Sequence, residues 1–348
     1  MGAYQKYQLA VSMNKEKFFV SGASGFIGSA LFNELGKKNI PCVGIGRKNI
    51  HSDNYLKCDL LDKDRLRSAL QGVSCIMHCA GYAHAFNALS GEIKEKTWLI
   101  NYEATKNLIE IAVEVGVSKF INLSSVKAMS EPGSNCVDEQ WDLNPLSEYG
   151  KSKLAAEKLI FNLAKKSKIN VVNLRLVMVY GRGGYGNLER MAKLISKGLF
   201  PPLPETNNHR SMVHIDDVVR AIMCVASDSR AHGQTFILAG PEAPSGRGIY
   251  NEIRSIYGYR GISFEIPDVF LRLIANIFEV MQKRSGVRMP FNREVLSRLL
   301  DSAWYSSNKI EKFLNWKPNV GLNDGLRRML CNNLKTQESH SHDSPIGG

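Results

Sequence analysis

No stretch of the 348-residue chain approaches the roughly 20 consecutive apolar residues of a membrane-spanning helix, so none is expected. Met1–Glu16 lacks the apolar core that a secretory leader needs, which points to a cytoplasmic protein. The seven cysteines (Cys42, Cys58, Cys75, Cys79, Cys136, Cys224, Cys331) are scattered singly, with no Cys-x-x-Cys pair and no His-Cys cluster at zinc spacing. Neither a disulfide framework nor a metal site is expected; they read as small buried hydrophobes in a reducing compartment. Basic residues are not gathered into one block, although the net charge is +12 and the pI about 9.3. That surplus implies an anionic partner, and a diphosphate ligand or an acidic membrane surface explains it as well as a nucleic acid would. What the chain does have is apolar residues: at 44% of the sequence they supply a large α/β unit and a smaller lobe with cores, and disorder is not the expected state.

Lys17–Ser21 is a short apolar run that stops at Gly22-Ala-Ser24-Gly25-Phe26-Ile27-Gly28, after which Ala30, Leu31 and Leu35 continue at helical spacing. This is a strand, a glycine turn and a helix. Such a turn takes positive φ, lets the backbone approach a pyrophosphate and packs the helix closely on the strand. The helix N-terminus then offers N–H groups and partial positive charge to phosphates. By itself the pattern also fits an ordinary βα turn; its place at the first strand favours the dinucleotide reading.

Strand-like and helical stretches go on alternating through Cys42–Ile45, Leu60 with a helix from Lys63, Ser74–His78, a helix Leu99–Val115, Lys119–Leu123 and a helix Ser147–Ala164. Such alternation predicts βαβ units, a parallel sheet and a nucleotide lying across the strands' carboxyl ends. The second strand ends at Ile45-Gly46-Arg47-Lys48, where NAD enzymes usually place an acid for the ribose 2′-hydroxyl. Arg47 and Lys48 are either a solvated basic loop or, as we favour, ligands of a 2′-phosphate, which would select NADP.

Together with Cys58-Asp59-Leu60, His78-Cys-Ala80-Gly81, Asn101-Tyr-Glu-Ala-Thr105 and Leu123-Ser-Ser125, these motifs in this order resemble the extended short-chain dehydrogenase/reductases, the NAD-dependent epimerase/dehydratase family, over residues 17 to 330. The resemblance implies an α/β Rossmann fold, a doubly wound parallel sheet with a smaller C-terminal substrate-binding lobe, and NAD or NADP as cofactor. It places Gly22, Ser24, Gly25, Phe26, Ile27 and Gly28 at the cofactor phosphates. Asp59 and Leu60 fall near the adenine, Ala80 and Gly81 beside the cofactor, and Asn101 under the helix behind the site.

The family's hallmark is Tyr-x3-Lys, residues that share one helical face. Three such pairs occur, Tyr102/Lys106, Tyr149/Lys153 and Tyr305/Lys309, and spacing alone does not choose between them. Tyr149/Lys153 is preferred because it follows Ser125 by 24 residues and opens a helix after the turn-like Asn144-Pro145-Leu-Ser-Glu148. The resemblance makes Tyr149 the proton acceptor, Ser125 its partner on the same substrate oxygen, and Lys153 the cation that lowers the phenol's pKa and grips the nicotinamide ribose. Ser124 is the alternative to Ser125. After this serine the chain has Ala128-Met129-Ser130 where many relatives have Val-Tyr-Gly.

Val172–Gly181 resembles the family's sixth strand, with Leu176 where a proline often follows the arginine. Gly186-Asn187-Leu188 and His209–Asp216 resemble two stretches that hold a substrate diphosphate, through Asn187 and Arg210. The alternatives are that Asn187 caps a helix and that Arg210 pairs with Asp216 or Asp217. Trp304–Pro318 resembles the closing segment of sugar-nucleotide epimerases, which puts Ala303 beside the sugar's C2 substituent with room for an N-acetyl group. In Ile266–Met281, Asp268, Arg272, Asn276 and Glu279 recur at spacings of 4, 4 and 3 and leave a broad apolar face. This is either core helix or a docking helix for a membrane surface or partner.

The domains expected are an extension over 1–16, an NAD(P)-binding unit over 17–180 to which later segments return, a mainly substrate-binding lobe over 181–335 and a polar, disordered tail over 336–348. The leading expectation for activity is a 4-epimerase of a UDP-linked hexose or N-acetylhexosamine, acting as a homodimer with tightly held cofactor. An NADPH-dependent 4-ketoreductase of surface-polysaccharide synthesis is the alternative. A dehydratase is disfavoured, since Val126-Lys127 replaces the Asp-Glu pair used for elimination. A non-enzymatic sensor or RNA-binding relative is remote, because Tyr149 and Lys153 are both present. No nucleic acid and no membrane span are expected, though peripheral membrane contact is compatible with the charge.

Overall fold

The computed structural model describes residues 16–83, 91–184, 186–260, 264–285 and 293–330. Its centre is a seven-stranded sheet of β1 (Phe18–Ser21), β2 (Cys42–Gly46), β3 (Tyr55–Lys57), β4 (Cys75–His78), β5 (Lys119–Ser125), β7 (Asn170–Leu176) and β10 (Gln234–Leu238). These lie in the order β10-β7-β5-β4-β1-β2-β3, and every pairing is parallel. The middle strands β1 and β4 are buried at every position, as near-continuous apolar runs with helices on both faces must be. After β3 the chain crosses back to β4 on the other side of β1. The strand order therefore reverses between β1 and β4, where a crevice opens at their carboxyl ends.

On the two faces lie α1 (Phe26–Lys37), α2 (Lys63–Ala69), α3 (Gly91–Trp98), α4 (Ala104–Glu114), α5 (Glu148–Ala164) and α7 (Ile215–Ser227), which follows α6 (Asn187–Ser196) in sequence. Two of the three hydrophobic clusters flank the sheet. The stretch expected as one helix over Leu99–Val115 is a π-helical turn, Leu99–Glu103, leading into α4. Such a turn admits an extra residue and re-aims side chains, here Asn101.

A second core gathers Leu188, Met191, Tyr250, Ile253 and Leu326 from α6, α8 (Gly246–Ile256) and the helical residues 322–330 around Tyr180, with α9 (Asp268–Ser285) and α10 (Arg293–Leu300) against it. Short pairings tie this lobe to the sheet: β6 (Cys136–Val137) with β11 (Trp304–Tyr305), and β8 (Met178–Tyr180) with β9 (Met212–His214). The outer edge of β10 is covered, since Glu139 Oε1 accepts the Ile237 N–H (2.6 Å) and Lys309, from α11 (Asn308–Leu314), donates to the Thr235 carbonyl (2.9 Å). An edge so occupied cannot recruit another strand.

Cys42, Cys58 and Cys75 are buried as expected, but Cys136 is exposed, because β6 is a two-residue strand at the surface. Cys331 and the tail from 336 lie outside the described residues, as do 1–15. No helix of the described residues is long and apolar enough to cross a membrane. Nor do they contain a group of three or more His, Cys, Asp or Glu side chains that could hold a metal ion.

Candidate active site at the carboxyl ends of the strands

The glycine turn after β1 is built for close approach. Gly22 has φ +69°, and a Cβ there would lie 2.7 Å from the Ala80 nitrogen; at Gly28 it would lie 2.1 Å from the Gly22 oxygen. Neither position admits a side chain. Helix α1 opens with Gly25 as N-cap and no side-chain acceptor, and its first internal bond is Ser29 N–H to Gly25 O (2.9 Å). The N–H groups of Phe26, Ile27 and Gly28 are therefore left to a ligand, and the geometry fits a pyrophosphate. Ser24 packs against Gly46 at the end of β2, and the Phe26 ring against Gly184.

Arg47 and Lys48 are exposed at the end of β2, and among the described residues neither forms an ion pair. Tyr55 pins their loop by donating to the Lys48 carbonyl (2.7 Å). Asp59 is exposed and accepts the Leu61 N–H (3.0 Å), while Leu60 is buried. Gly81 lies over the site: a Cβ there would be 3.4 Å from Asn101 Oδ1 and 3.8 Å from Lys153 Nζ. Asn101, buried, clamps the neighbouring Tyr82 backbone, accepting its N–H (2.8 Å) and donating to its carbonyl (3.2 Å) and to Ser152 Oγ (3.2 Å).

A buried polar chain that the motif reading missed runs beneath this turn. Thr105 Oγ1 donates to the Asn101 carbonyl (2.9 Å), so its proton is spent. His78 Nε2, 2.8 Å away, must then be the N–H donor to Thr105, leaving Nδ1 as acceptor for the Ser21 hydroxyl (2.6 Å). Ser21 Oγ in turn accepts the Ala80 N–H (3.3 Å). The chain links the ends of β1 and β4 to the start of α4. Burial, with Lys153 nearby, pushes the His78 imidazole down to about 3, so it is neutral. Its signal in sequence was the in-register pair Ser21 and His78 ending adjacent strands.

Of the three Tyr-x3-Lys pairs, Tyr149/Lys153 alone is buried on one helical face. Tyr305 lies in β11 while Lys309 is in α11, and Tyr102 falls in the π-helical turn. Ser147 caps α5 by accepting the Gly150 N–H (3.1 Å). A Cβ on Gly150 would lie 2.0 Å from the Lys127 carbonyl, so this glycine lets the turn Val126–Ala128 pack on α5 and brings Ser125 to Tyr149. The Tyr149 hydroxyl and Ser125 are hydrogen-bonded. Ser124 points to the opposite face, and among the described residues its buried hydroxyl has no partner.

Burial pushes the Tyr149 phenol up to about 12, with the Ser125 hydrogen bond pulling the other way. Desolvation of the buried ring outweighs that hydrogen bond. Burial takes Lys153 down to about 8, opposed by Glu157 and Cys79. Its Nζ donates to the Leu123 carbonyl (2.7 Å), fixing it under the end of β5. Glu157, one turn on, is held by a buried bidentate pair with Arg175 (2.7 Å).

In the second lobe Arg210 and Ala303 form an isolated parallel bridge, so two residues far apart in sequence share one wall. Arg210 pairs with neither aspartate: Asp216 is bound by Arg328 (3.0 Å) and Asp217 by Arg220. Among the described residues its one side-chain hydrogen bond goes from Nη1 to the Asp301 carbonyl (3.1 Å), and burial lowers its pKa. Asn187 is exposed on the first turn of α6, whose N-cap is Gly186, so it is not the cap. Among the described residues no hydrogen bond joins it to Arg210 or Ala303.

The sequence model of the NAD dependent epimerase/dehydratase family matches residues 18–239. The chain is 27% identical over 322 residues to a UDP-glucose 4-epimerase of Vibrio cholerae, covering 90% of this chain and 94% of that one. It is 26% identical over 337 residues to an uncharacterized UDP-glucose epimerase of Bacillus subtilis, covering 90% and 97%. Its fold is similar to that of UDP-glucuronic acid 4-epimerase from Bacillus cereus, solved with UDP-glucuronic acid and NAD, at TM-score 0.73, 23% identity and 92% and 99% coverage. An epimerase from Methanothermobacter thermautotrophicus gives TM-score 0.74 at 18% identity, covering 95% and 97%. The chain is an enzyme of the extended short-chain dehydrogenase/reductase type, and it belongs to the NAD dependent epimerase/dehydratase family.

Proposed function

We propose that the chain is a 4-epimerase of a UDP-linked hexose or N-acetylhexosamine. The observation that carries this is the buried Tyr149–Ser125 hydrogen bond, with Lys153 one helical turn on, at the carboxyl end of β5 and facing the glycine turn. The named 4-epimerase relatives support the choice of reaction.

In this reading the substrate's 4-hydroxyl lies between Tyr149 and Ser125. Ser125 donates to that oxygen and orients it, while Tyr149 takes its proton as the carbon is oxidised and returns it when the carbon is reduced. When bound, the nicotinamide supplies the hydride acceptor and its oxidised ring's positive charge. The phenol at about 12 needs cations close by to act as a base, and Lys153 is positioned to be one of them. Gly22, Gly25 and Gly28 leave room for the pyrophosphate, with Ser24, Phe26 and Ile27 around it. Ala80, Gly81 and Asn101 shape the wall beneath the nicotinamide side, and Asp59 and Leu60 border the adenine end. Arg210 offers its unused guanidinium N–H groups, and Asn187 its amide, to a substrate diphosphate. Ala303, bridged to Arg210, adds only a methyl group and leaves room for an N-acetyl substituent.

Arg47 and Lys48, exposed and in no ion pair among the described residues, favour a second reading, an NADPH-dependent 4-ketoreductase. Denaturing the purified protein and identifying the released nucleotide separates the two. Stoichiometric NAD, with interconversion of UDP-glucose and UDP-galactose or of their N-acetyl forms seen by proton NMR, is the expected result. An empty protein that binds NADPH far better than NADH would select the reductase.

A further inference from the structure

Helix α9 has two apolar arcs and buries the narrower one. Leu271 and Ala275 are fully buried and Phe278 packs on the second core, a stripe about 60° wide at 3.6 residues per turn. On another face Phe270, Leu273, Ile274, Ile277, Val280 and Met281 are each 39–59% exposed, and they span about 120°. Between Asp268 and Met281 the charged positions fall outside that arc: Asp268 pairs with Arg272 (2.9 Å), and Arg272 reaches Asp301 (3.6 Å). A continuous apolar arc of this width on an otherwise packed helix marks an interaction surface.

The sequence that follows the arc is basic. Lys283 and Arg284 follow the arc in the last turn of α9, and Lys197, Arg260 and Arg293 are exposed in the same lobe. Two further exposed apolar side chains, Leu199 and Tyr259, sit together there, since the Tyr259 hydroxyl donates to the Ser196 carbonyl (2.8 Å). Two copies meeting through such faces would oppose like charges on chains that each carry +12, whereas an anionic surface would attract them.

We propose that the exposed arc of α9 lies in the headgroup layer of an anionic phospholipid bilayer, parallel to its plane, with basic residues around it holding the lipid phosphates. The arc from Phe270 to Met281 extends about 16 Å, enough to bury one face but not to cross. This inference does not depend on the reaction proposed above.

Co-sedimentation of the full chain with vesicles of phosphatidylcholine, alone or with about one-third phosphatidylglycerol, tests it. The chain is expected to bind the anionic vesicles at least about tenfold better and to be released as salt rises from about 0.1 to 0.5 M. Phe270→Asp/Ile277→Asp, at two side chains more than half exposed, is expected to keep the circular dichroism spectrum and lower binding by about tenfold or more. Lys283→Glu/Arg284→Glu, which leaves the apolar side chains of the arc unchanged, is expected to lower binding to anionic vesicles several-fold. No binding to anionic vesicles, or equal binding by the wild type and both double variants, overturns the proposal. So does a dimer in sedimentation velocity that Phe270→Asp/Ile277→Asp converts to monomer, because a second copy would then cover the arc.

Discussion

Tyr149 is hydrogen-bonded to Ser125, fixed on the α5 backbone and almost wholly buried. Tyr149→Phe removes one hydroxyl and no volume, so the fold is expected to survive, with about 0.5–1.5 kcal/mol lost. Turnover is expected to fall about 10²–10⁴-fold while cofactor remains bound; an active variant would move the proton-transfer role elsewhere. Arg47→Glu tests a different atom. If the guanidinium meets a 2′-phosphate, NADPH affinity falls by about one to two orders of magnitude with NADH affinity little changed; titrations that show no change in the NADPH-to-NADH ratio would make Arg47 a solvated loop residue. The spacing of Tyr149, Lys153 and Ser125 was legible because helical periodicity and strand order place them. The upward shift of the Tyr149 pKa was not, since desolvation depends on what the whole fold packs over the ring. His78 was quoted within a motif yet its work was missed: its partners Ser21 and Thr105 are joined to it by sheet register and by the start of α4.

At the scale of elements, α5 and the turn Val126–Ala128 meet through a position where no Cβ fits. Gly150→Ala puts a methyl 2.0 Å from the Lys127 carbonyl, and backbone must move to relieve it. The expected cost in urea unfolding is about 1–3 kcal/mol. The expected loss of turnover is larger in proportion, on the order of 10²-fold, because Ser125 and Tyr149 are displaced relative to each other. A variant that loses stability but keeps full turnover would show that this packing does not set the site's geometry. The alternation of strands and helices predicted α5, since a helix over Ser147–Ala164 follows from local pattern. It did not predict the π-helical turn at Leu99–Glu103, which the clamp of Asn101 on Tyr82 accompanies and no local signal marks. For α9 the periodicity left core and docking open; the structure gives the helix a buried stripe and a wider exposed one.

For the whole molecule, the parallel sheet and its crevice were readable from the order of motifs, whereas the coupling of the buried site to global stability was not. His78 carries that coupling. Burial holds its folded pKa near 3, against about 6.5 in an unfolded chain. Between those values the unfolded chain binds a proton that the folded one refuses, so unfolding gains as pH falls. The contribution of neutral His78 is fully present above about pH 6.5 and is lost progressively towards pH 3, at most roughly 4–5 kcal/mol over the window and about 2 kcal/mol by pH 5. Lys153 acts in a separate range: its folded pKa of about 8 lies below the ordinary lysine value, so its burial costs stability at neutral pH and that cost fades as pH rises past 8 towards about 10.4. Urea unfolding at pH 7 and pH 5 isolates the histidine. The wild type is expected to lose about 2 kcal/mol more between the two than His78→Gln, which cannot titrate and keeps one donor and one acceptor for Thr105 and Ser21. Equal losses would mean that His78 stays solvated enough to protonate in the folded state, and the direction of the Ser21–His78–Thr105 chain would have to be reassigned with it.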